Sequence, residues 1–199
     1  LTSSLIKKIK PLLFILLIIP SIFWFIKLYN GQMGINPVDA IIHELGEFSL
    51  RLIILTLLIT PLTQIKSLKN IIILRRMLGL FCFYYIFLHF ISYIVLDHFF
   101  NWEFIVKDVY KRPFITLGFS AFLLTIPLAT TSNNTLVRKL TYKIWKKIHR
   151  LIYLIAPLAG FHYYLLTKAD KTEPLIYLIL IFLLLFSRVI IYLSKKESF

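Results

Sequence analysis

The sequence predicts an all-α integral membrane protein, a bundle of six transmembrane helices with both termini in the cytoplasm. Hydrophobic residues make up 59% of the 199 residues, whereas about 45–50% is usual for soluble domains. Mean hydropathy is +0.82, and only 16% of the residues are charged. Apolar runs such as residues 11–20 exclude a disordered chain and a soluble basic domain. The single cysteine, Cys82, excludes an intramolecular disulfide and a cysteine-based zinc or iron–sulfur site.

Six stretches are long and apolar enough to cross a bilayer, which takes about 20 residues for a hydrocarbon core of about 30 Å. Turn signals and charge clusters bound most of them. Little chain remains outside these stretches, so residues 1–199 are interpreted as one transmembrane domain. The spans are, in order, 11–29, 41–64 after Asn36-Pro37, 74–97 from Arg75-Arg76 onward, 113–131 after Lys111-Arg112-Pro113, 150–167 after His149, and 174–194 after Glu173-Pro174.

The orientation of the bundle follows from the loops, because Lys and Arg concentrate on the cytoplasmic side of membrane proteins. One side carries 15 basic residues and a single acid, Glu197, whereas the other carries six basic and eight acidic residues. Both termini fall on the basic side and are therefore predicted to be cytoplasmic. The 15 bases are Lys7, Lys8, Lys10, Lys66, Lys69, Arg75, Arg76, Arg138, Lys139, Lys143, Lys146, Lys147, Arg150, Lys195 and Lys196.

The net charge of +14 would suggest a nucleic-acid partner in a soluble protein. Here it is explained by topology and by contact with anionic lipid. The expected partner is the lipid bilayer, and no nucleic acid is expected.

Ionisable groups inside membrane spans are costly and are therefore functional candidates. His89 lies 13 residues beyond Arg76 in the third span, and His162 lies 13 residues beyond His149 in the fifth. At 1.5 Å per residue both are about 20 Å from the inner surface, on parallel helices. Two neutral imidazoles at one depth suit the axial positions of a six-coordinate haem iron.

Packing is the alternative role for each histidine. His149 and His162 are about 140° apart on an ideal helix, so they share a face only if the helix bends, for which Pro157 is a candidate. The residue opposite His149 on the third span is Arg76, which cannot bind iron. His43 and His98 lie nearer the outer ends of their spans and are weaker candidates.

Four arginines are candidates for holding a propionate or a phosphate. Arg51 and Arg188 lie deep within spans, where a backbone carbonyl is the alternative partner. Arg75 and Arg76 lie at the inner end of the third span, where a role as topology anchors is the alternative.

Several motifs resemble the MsrQ family, the haem-binding membrane subunits of protein-methionine-sulfoxide reductase systems, within the ferric-reductase-like transmembrane group. The resemblance covers about residues 10–195. The motifs are HELG at 43–46, TPL at 60–62, RRMLGL at 75–80, Leu88-His89, KRPFITLG at 111–118, PLATTS at 127–132, WKKIHRLIY at 145–153 and His162-Tyr163.

The resemblance implies a bacterial inner-membrane protein that binds b-type haem through His89, His162 and His149, with FMN as a further cofactor. It also implies an electron-transfer subunit rather than a catalytic one. Electrons would come from the quinone pool or a cytosolic flavin reductase. They would pass to MsrP, a periplasmic molybdenum-containing subunit that reduces methionine sulfoxide in oxidised proteins. Since related ferric reductases carry two histidines on each of two helices, whether one haem or two are bound stays open, as does a flavin or quinone role for His149.

The outer loop at 97–112, with Trp102 and Asp108, is the predicted docking surface for that partner, with an interfacial aromatic belt as the alternative for Trp102. Two other functions stay open. One is a haem-containing metal or oxygen reductase of the same group. The other is a non-redox permease or scaffold, although no inverted repeat supports a transporter.

Overall fold

The computed structural model describes residues 2–197, with side chains described as far as Ser194. Lys195 and Lys196, two of the predicted inner bases, lie outside the described side chains. Within residues 2–197 every regular element is helical, which confirms the all-α prediction. The α-helices are α1 (Ser3–Tyr29), α2 (Pro37–Leu62), α3 (Arg75–Ser92), α4 (Trp102–Lys111), α5 (Pro113–Thr130), α6 (Asn134–Lys139), α7 (Thr141–His149), α8 (Ile152–Leu166) and α9 (Thr172–Glu197).

Five segments of the described chain are long and apolar enough to cross a membrane: Ser3–Tyr29, Pro37–Leu62, Lys66–Asp97, Pro113–Thr130 and Thr172–Ser194. The third of these combines a 3-10 helix (Lys66–Leu74), α3 and a π-helical turn (Tyr93–Asp97). The predicted span 150–167 coincides with α8, whose 15 residues extend only about 22 Å. Five of the six expected helices therefore reach spanning length, and α8 is shorter.

Three short helices lie where the sequence suggested loops. The outer segment 97–112 contains α4, which begins where the Asn101 side chain accepts a hydrogen bond from Phe104 N at 3.3 Å. It ends at Lys111 because Arg112 precedes Pro113 and adopts an extended conformation. On the opposite side, α6 and α7 connect α5 to α8. These segments are too short and too polar to be recognised as spans.

The core forms around α2. Ile41, Leu45 and Leu57 of this helix are fully buried, as are Tyr85 of α3 and Ile181 of α9. Helix α2 packs against α3 and α9, while α5 packs against α8. This arrangement brings α2, α3, α5 and α8 around one internal cavity, where the functional candidates lie.

Helix α1 lies at the edge of the bundle, and Ile6 and Ser21 are its only residues described as buried. It is joined to α3 by Tyr85, whose hydroxyl donates to Leu17 O at 2.6 Å and accepts from Ser21 N at 3.3 Å. These two backbone groups pair with each other in an unbroken α-helix. Ser21 directly follows Pro20, which has no backbone N–H.

Candidate metal centre

His89 of α3 and His162 of α8 face each other inside the bundle. Their ring centroids are 6.2 Å apart and their planes are inclined at 79°. The Nδ1 atom of His89 lies 2.8 Å from Ile42 O, and that of His162 lies 2.6 Å from Phe114 O. A carbonyl can only accept a hydrogen bond, so each Nδ1 carries the proton and each Nε2 keeps its lone pair for a metal.

A glycine lies directly beneath each histidine ring. A Cβ atom at Gly46 would lie 2.9 Å from His89 Nδ1, and one at Gly118 would lie 2.7 Å from His162 Nδ1. Each glycine follows the accepting carbonyl by four residues, since Ile42 precedes Gly46 and Phe114 precedes Gly118. The same arrangement thus occurs twice: one turn of a helix offers a carbonyl and an open surface, and a histidine from a neighbouring helix packs on it.

The two rings line a cavity of about 470 Å³ between α2, α3, α5 and α8. Most of its lining is apolar and includes Leu50, Ile53, Ile86 and Phe122. A largely apolar space between helices is where bundles hold cofactors.

The distance between the two imidazoles fits a single metal ion held by both. A metal–nitrogen bond of about 2 Å and half a ring on each side would place the ring centroids about 6 Å apart. Among the described residues, no group of three or more His, Cys, Asp or Glu side chains could hold a bare metal ion. The imidazoles of His89 and His162 would suit a metal whose remaining ligands come from a macrocycle.

At its outer end the cavity is bordered by charged and phenolic groups, which include Asp39, Tyr93, Asp97 and Arg112. Arg112 lies 3.2 Å from Asp108 through its Nε atom. Its side chain is 56% exposed, so it can also reach an anionic group at the mouth. Arg112 is the single arginine among the residues that line the cavity, and the sequence had not singled it out as a cofactor contact.

The four arginines chosen from the sequence lie elsewhere. Arg51 pairs with Glu47 and donates to Tyr177 Oη at 2.9 Å. Arg76 donates to Ser132 O and to Asn134 Oδ1, both at 2.6 Å, which attaches α3 to the segment that follows α5.

Arg188 is 7% exposed and donates from Nη2 to Leu57 O at 3.0 Å. The partner of Arg188 is therefore a backbone carbonyl, which was the alternative to a propionate or phosphate. Its Nε is buried without a partner among the described residues. Arg75 interacts electrostatically with Arg188 and with His149. Arg75 of α3, His149 of α7 and Arg188 of α9 thus lie close together, and we call them the inner group.

His149 belongs to this inner group and does not line the cavity. Its ring packs on the Trp145 indole at 4.1 Å, its Nδ1 lies 3.1 Å from Trp145 O, and its Nε2 lies 3.4 Å from Ser132 Oγ. Partial burial lowers the pKa of His149, and the nearby positive charges act in the same direction. The helix is interrupted between His149 and Ile152, and of the two histidines only His162 lines the cavity.

The predicted docking residues differ in their accessibility. Trp102 is 60% exposed at the start of α4, whereas Asp108 is 8% exposed. Asp108 contacts Arg112, and His98 Nε2 at 3.5 Å. Asp108 therefore connects α4 to neighbouring segments, while Trp102 is available to a partner or to lipid headgroups. His43 lines the cavity and is half exposed.

Sequence reasoning missed the residues that orient the histidines: the two carbonyls, at Ile42 and Phe114, and the two glycines. A signal was present, since HELG at 43–46 and RPFITLG at 112–118 each contain a glycine inside an apolar helix. A glycine in such a position often has a packing reason. Its partner could be identified only when the helices were seen together.

Comparison with known proteins identifies the family. Residues 45–160 match the family described as the ferric reductase like transmembrane component. Proteins named protein-methionine-sulfoxide reductase heme-binding subunit MsrQ match most of the chain. The protein from Herminiimonas arsenicoxydans is 44% identical over 194 residues, 96% of this chain and 88% of the relative. The chain belongs to the MsrQ family.

Two further MsrQ proteins support this membership. The one from Caulobacter vibrioides is 49% identical over 149 residues, 75% of this chain and 71% of the relative. The one from Rhodospirillum rubrum is 40% identical over 185 residues, 93% of this chain and 89% of the relative. No solved structure matches the chain. The resemblance to the MsrQ family, expected from the motifs, is therefore confirmed.

Proposed function

We propose that this MsrQ-family chain binds a b-type haem between His89 and His162 and acts as the electron-transfer subunit of a methionine sulfoxide reductase system. The observation that carries the proposal is the facing pair of imidazoles, 6.2 Å apart between centroids. The names of the relatives, heme-binding subunits of protein-methionine-sulfoxide reductase, point to the same cofactor and system.

The chain's own residues would hold and tune the cofactor. The bonds of the two Nδ1 atoms to Ile42 O and Phe114 O fix both tautomers and keep the rings across the cavity from each other. The apolar lining excludes water and influences the reduction potential. Bound haem supplies reversible one-electron chemistry, and this subunit itself breaks no bond of the sulfoxide.

The proposed setting is the bacterial inner membrane, with six spans and cytoplasmic termini. On this view α8 is the fifth span, and its 15 residues extend about 22 Å. The charge asymmetry of the loops supports the orientation.

The inner group supports an additional site on the cytoplasmic side. His149, Arg75 and Arg188 can hold an anionic group there, such as a haem propionate or the phosphate of FMN. We propose that electrons enter from the quinone pool or from a cytosolic flavin reductase, and leave towards a periplasmic molybdenum subunit of the MsrP type. Trp102 and the exposed face of α4 are the proposed contact with that subunit.

An absorption spectrum tests the central proposal. Detergent-purified protein, oxidised and then reduced with dithionite, should give a sharp Soret band and reduced α and β bands. His89→Ala or His162→Ala should abolish this signal, because each removes one of the two imidazoles that would hold the haem.

His98→Ala is the matched control, since His98 does not line the cavity, and it should retain the spectrum. A protein purified after haem-sufficient expression without a Soret band would refute haem binding and favour the non-redox alternative. If His43→Ala lost the signal and His89→Ala kept it, His43 would be a ligand and the assignment of His89 would be wrong.

A further inference from the structure

The two ends of the histidine cavity differ in polarity. Inward of the histidine pair, the described lining is apolar apart from Ser49, whose hydroxyl donates to Gly46 O at 2.7 Å. The carboxylate and guanidinium side chains of the lining all lie at the level of the pair or farther out. They are Asp39, Glu47, Asp97 and Arg112. In the part of the chain that the structure describes, the inner half of the cavity thus offers no charged partner to a bound molecule.

A b-type haem is itself polar at one edge, which carries two propionate carboxylates, and apolar at the others. Burying an ionised carboxylate without a partner is far more costly than burying an apolar edge. The propionate edge therefore fits the outer end of the cavity, and the apolar edge fits the inner half.

Arg112 is the cation at that outer end. Among the described lining residues there is one arginine, Arg112, and no lysine, and the inner group does not line this cavity. A guanidinium has five N–H donors, and the ion pair of Arg112 with Asp108 runs through its Nε atom. The two Nη groups form a fork that matches the two oxygens of a carboxylate.

The local sequence places Arg112 at the mouth. It joins α4 to α5 in an extended conformation (φ −112°, ψ 102°) because Pro113 follows. Asp108, one helical turn earlier, is buried and also accepts from Tyr93 Oη at 3.4 Å. The guanidinium is thus attached to a carboxylate that is itself held in place. Helix α5 begins beside it with the positive end of its dipole at the mouth, which favours an anion there as well.

The acids at the same end are directed to neighbours of their own. Glu47 pairs with Arg51, and Asp97 Oδ2 lies 3.5 Å from His98 Nε2. Asp39 accepts a hydrogen bond from the side chain three residues earlier. The guanidinium at the mouth is therefore the group best placed to bind an added carboxylate.

We propose that Arg112 binds a haem propionate at the outer end of the cavity and that Asp108 positions its guanidinium. This inference rests on the proposed haem function and adds the direction in which the macrocycle lies. A positive charge beside a propionate offsets negative charge near the iron. Arg112 therefore favours the ferrous state and raises the reduction potential of the haem.

The test compares haem-loaded Arg112→Gln with the wild type in detergent. The resonance Raman spectrum of haem contains a propionate bending band, whose frequency depends on the hydrogen bonds that the carboxylate accepts. This band should shift in Arg112→Gln. In a redox titration the equilibrium constant for reduction should fall about tenfold, which is a potential about 59 mV lower for one electron. The Soret band should keep its wild-type shape, because neither histidine is altered.

Lys111→Gln is the matched control. It removes the same charge from the adjacent residue, but Lys111 does not line the cavity, so the propionate band and the potential should equal those of the wild type. Arg112→Lys separates charge from contact. It keeps the positive charge and loses the fork, so the potential should stay near the wild-type value while the propionate band shifts.

The outcomes separate this inference from the haem function. An unchanged propionate band and potential in Arg112→Gln would overturn the role of Arg112 and leave haem binding intact. Equal shifts in Lys111→Gln would also overturn it, because the effect would then come from charge at a distance. If Arg112→Gln does not retain haem, an unchanged propionate band in Arg112→Lys would overturn it. Absence of haem from the wild type would refute the proposed function itself.

Discussion

At the scale of single residues, the candidate metal centre depends on groups that carry no chemistry of their own. A backbone carbonyl fixes the tautomer of each histidine, and a glycine one turn later leaves room for the ring. In a helix the carbonyl oxygen has a second lone pair, so it can accept from the imidazole as well as from its own helix. The orientation of the ligands is therefore built into the surfaces of α2 and α5.

Gly118→Ala should disturb this centre. The new Cβ would lie 2.7 Å from His162 Nδ1, and the ring cannot retreat without losing its 2.6 Å bond to Phe114 O. Overpacking of this kind costs about 1–3 kcal/mol, so haem content per protein should fall about tenfold or more, as measured from the Soret band.

Gly79→Ala provides the matched control within α3, because nothing lies within 4 Å of a Cβ there. Alanine is favoured over glycine in a helix interior by about 0.5–1 kcal/mol. Its haem content should be unchanged and its thermal stability equal or slightly higher. Equal haem content in both variants would contradict the role given to Gly118.

At the scale of helices, α1 shows how a weakly buried element is attached. Few of its residues reach the core, and the Tyr85 hydroxyl lies between Leu17 O and Ser21 N. This contact lies next to Pro20, which interrupts the hydrogen bonds of a helix. Because no water is available inside a bilayer, the Tyr85 hydroxyl must find its partners within the protein, and α1 supplies them.

Tyr85→Phe should therefore weaken the attachment of α1. Loss of the hydroxyl removes its hydrogen bonds to Leu17 O and Ser21 N, at a cost of about 1–2 kcal/mol. Unfolding of the detergent-solubilised protein, followed by tryptophan fluorescence, should occur at lower temperature or lower SDS fraction.

Tyr84→Phe is the control on the adjacent residue. Its hydroxyl pairs with Ser21 Oγ at 3.0 Å, but that oxygen also donates to Ile18 O at 2.8 Å. The midpoint should shift less than in Tyr85→Phe. An equal or larger shift for Tyr84→Phe would show that the Tyr85 hydroxyl is not the main attachment of α1.

At the scale of the whole molecule, charge and the cavity divide the protein into two sides. The basic loops lie at one end, with Arg76 and His149, and the acidic loops lie at the other, with α4 and the cavity mouth. The histidine pair is nearer the second end. An electron that enters at the basic end therefore has farther to travel to the histidine pair than one that enters at the acidic end.

Labelling of single cysteines tests the proposed orientation. In spheroplasts, Lys107→Cys on α4 should react with a membrane-impermeant maleimide, and Lys139→Cys at the end of α6 should react only after lysis. The native Cys82 is buried and should contribute little background. The reverse pattern of labelling would invert the orientation inferred from the loops.

The sequence alone was enough for the helical class, the family and the pairing of His89 with His162 at one depth. The length and composition of a span can be read from consecutive residues, because the hydrophobic effect acts on each span separately. The depth of a residue in the membrane follows from counting residues along its helix. Even where an element was misjudged, as with α4 and the short α8, the boundaries at Pro113 and Glu173-Pro174 were close to those observed.

Only the tertiary structure decided which surfaces meet. It separated His149 from the cavity, excluded Arg51, Arg75, Arg76 and Arg188 from its lining, and brought Arg112 to its mouth. It also placed Gly46 and Gly118 beneath the histidines and Glu47 beside them. Such contacts depend on the rotation and packing of several helices at once, and the apolar surfaces that bring the helices together are too uniform along each span to specify that rotation.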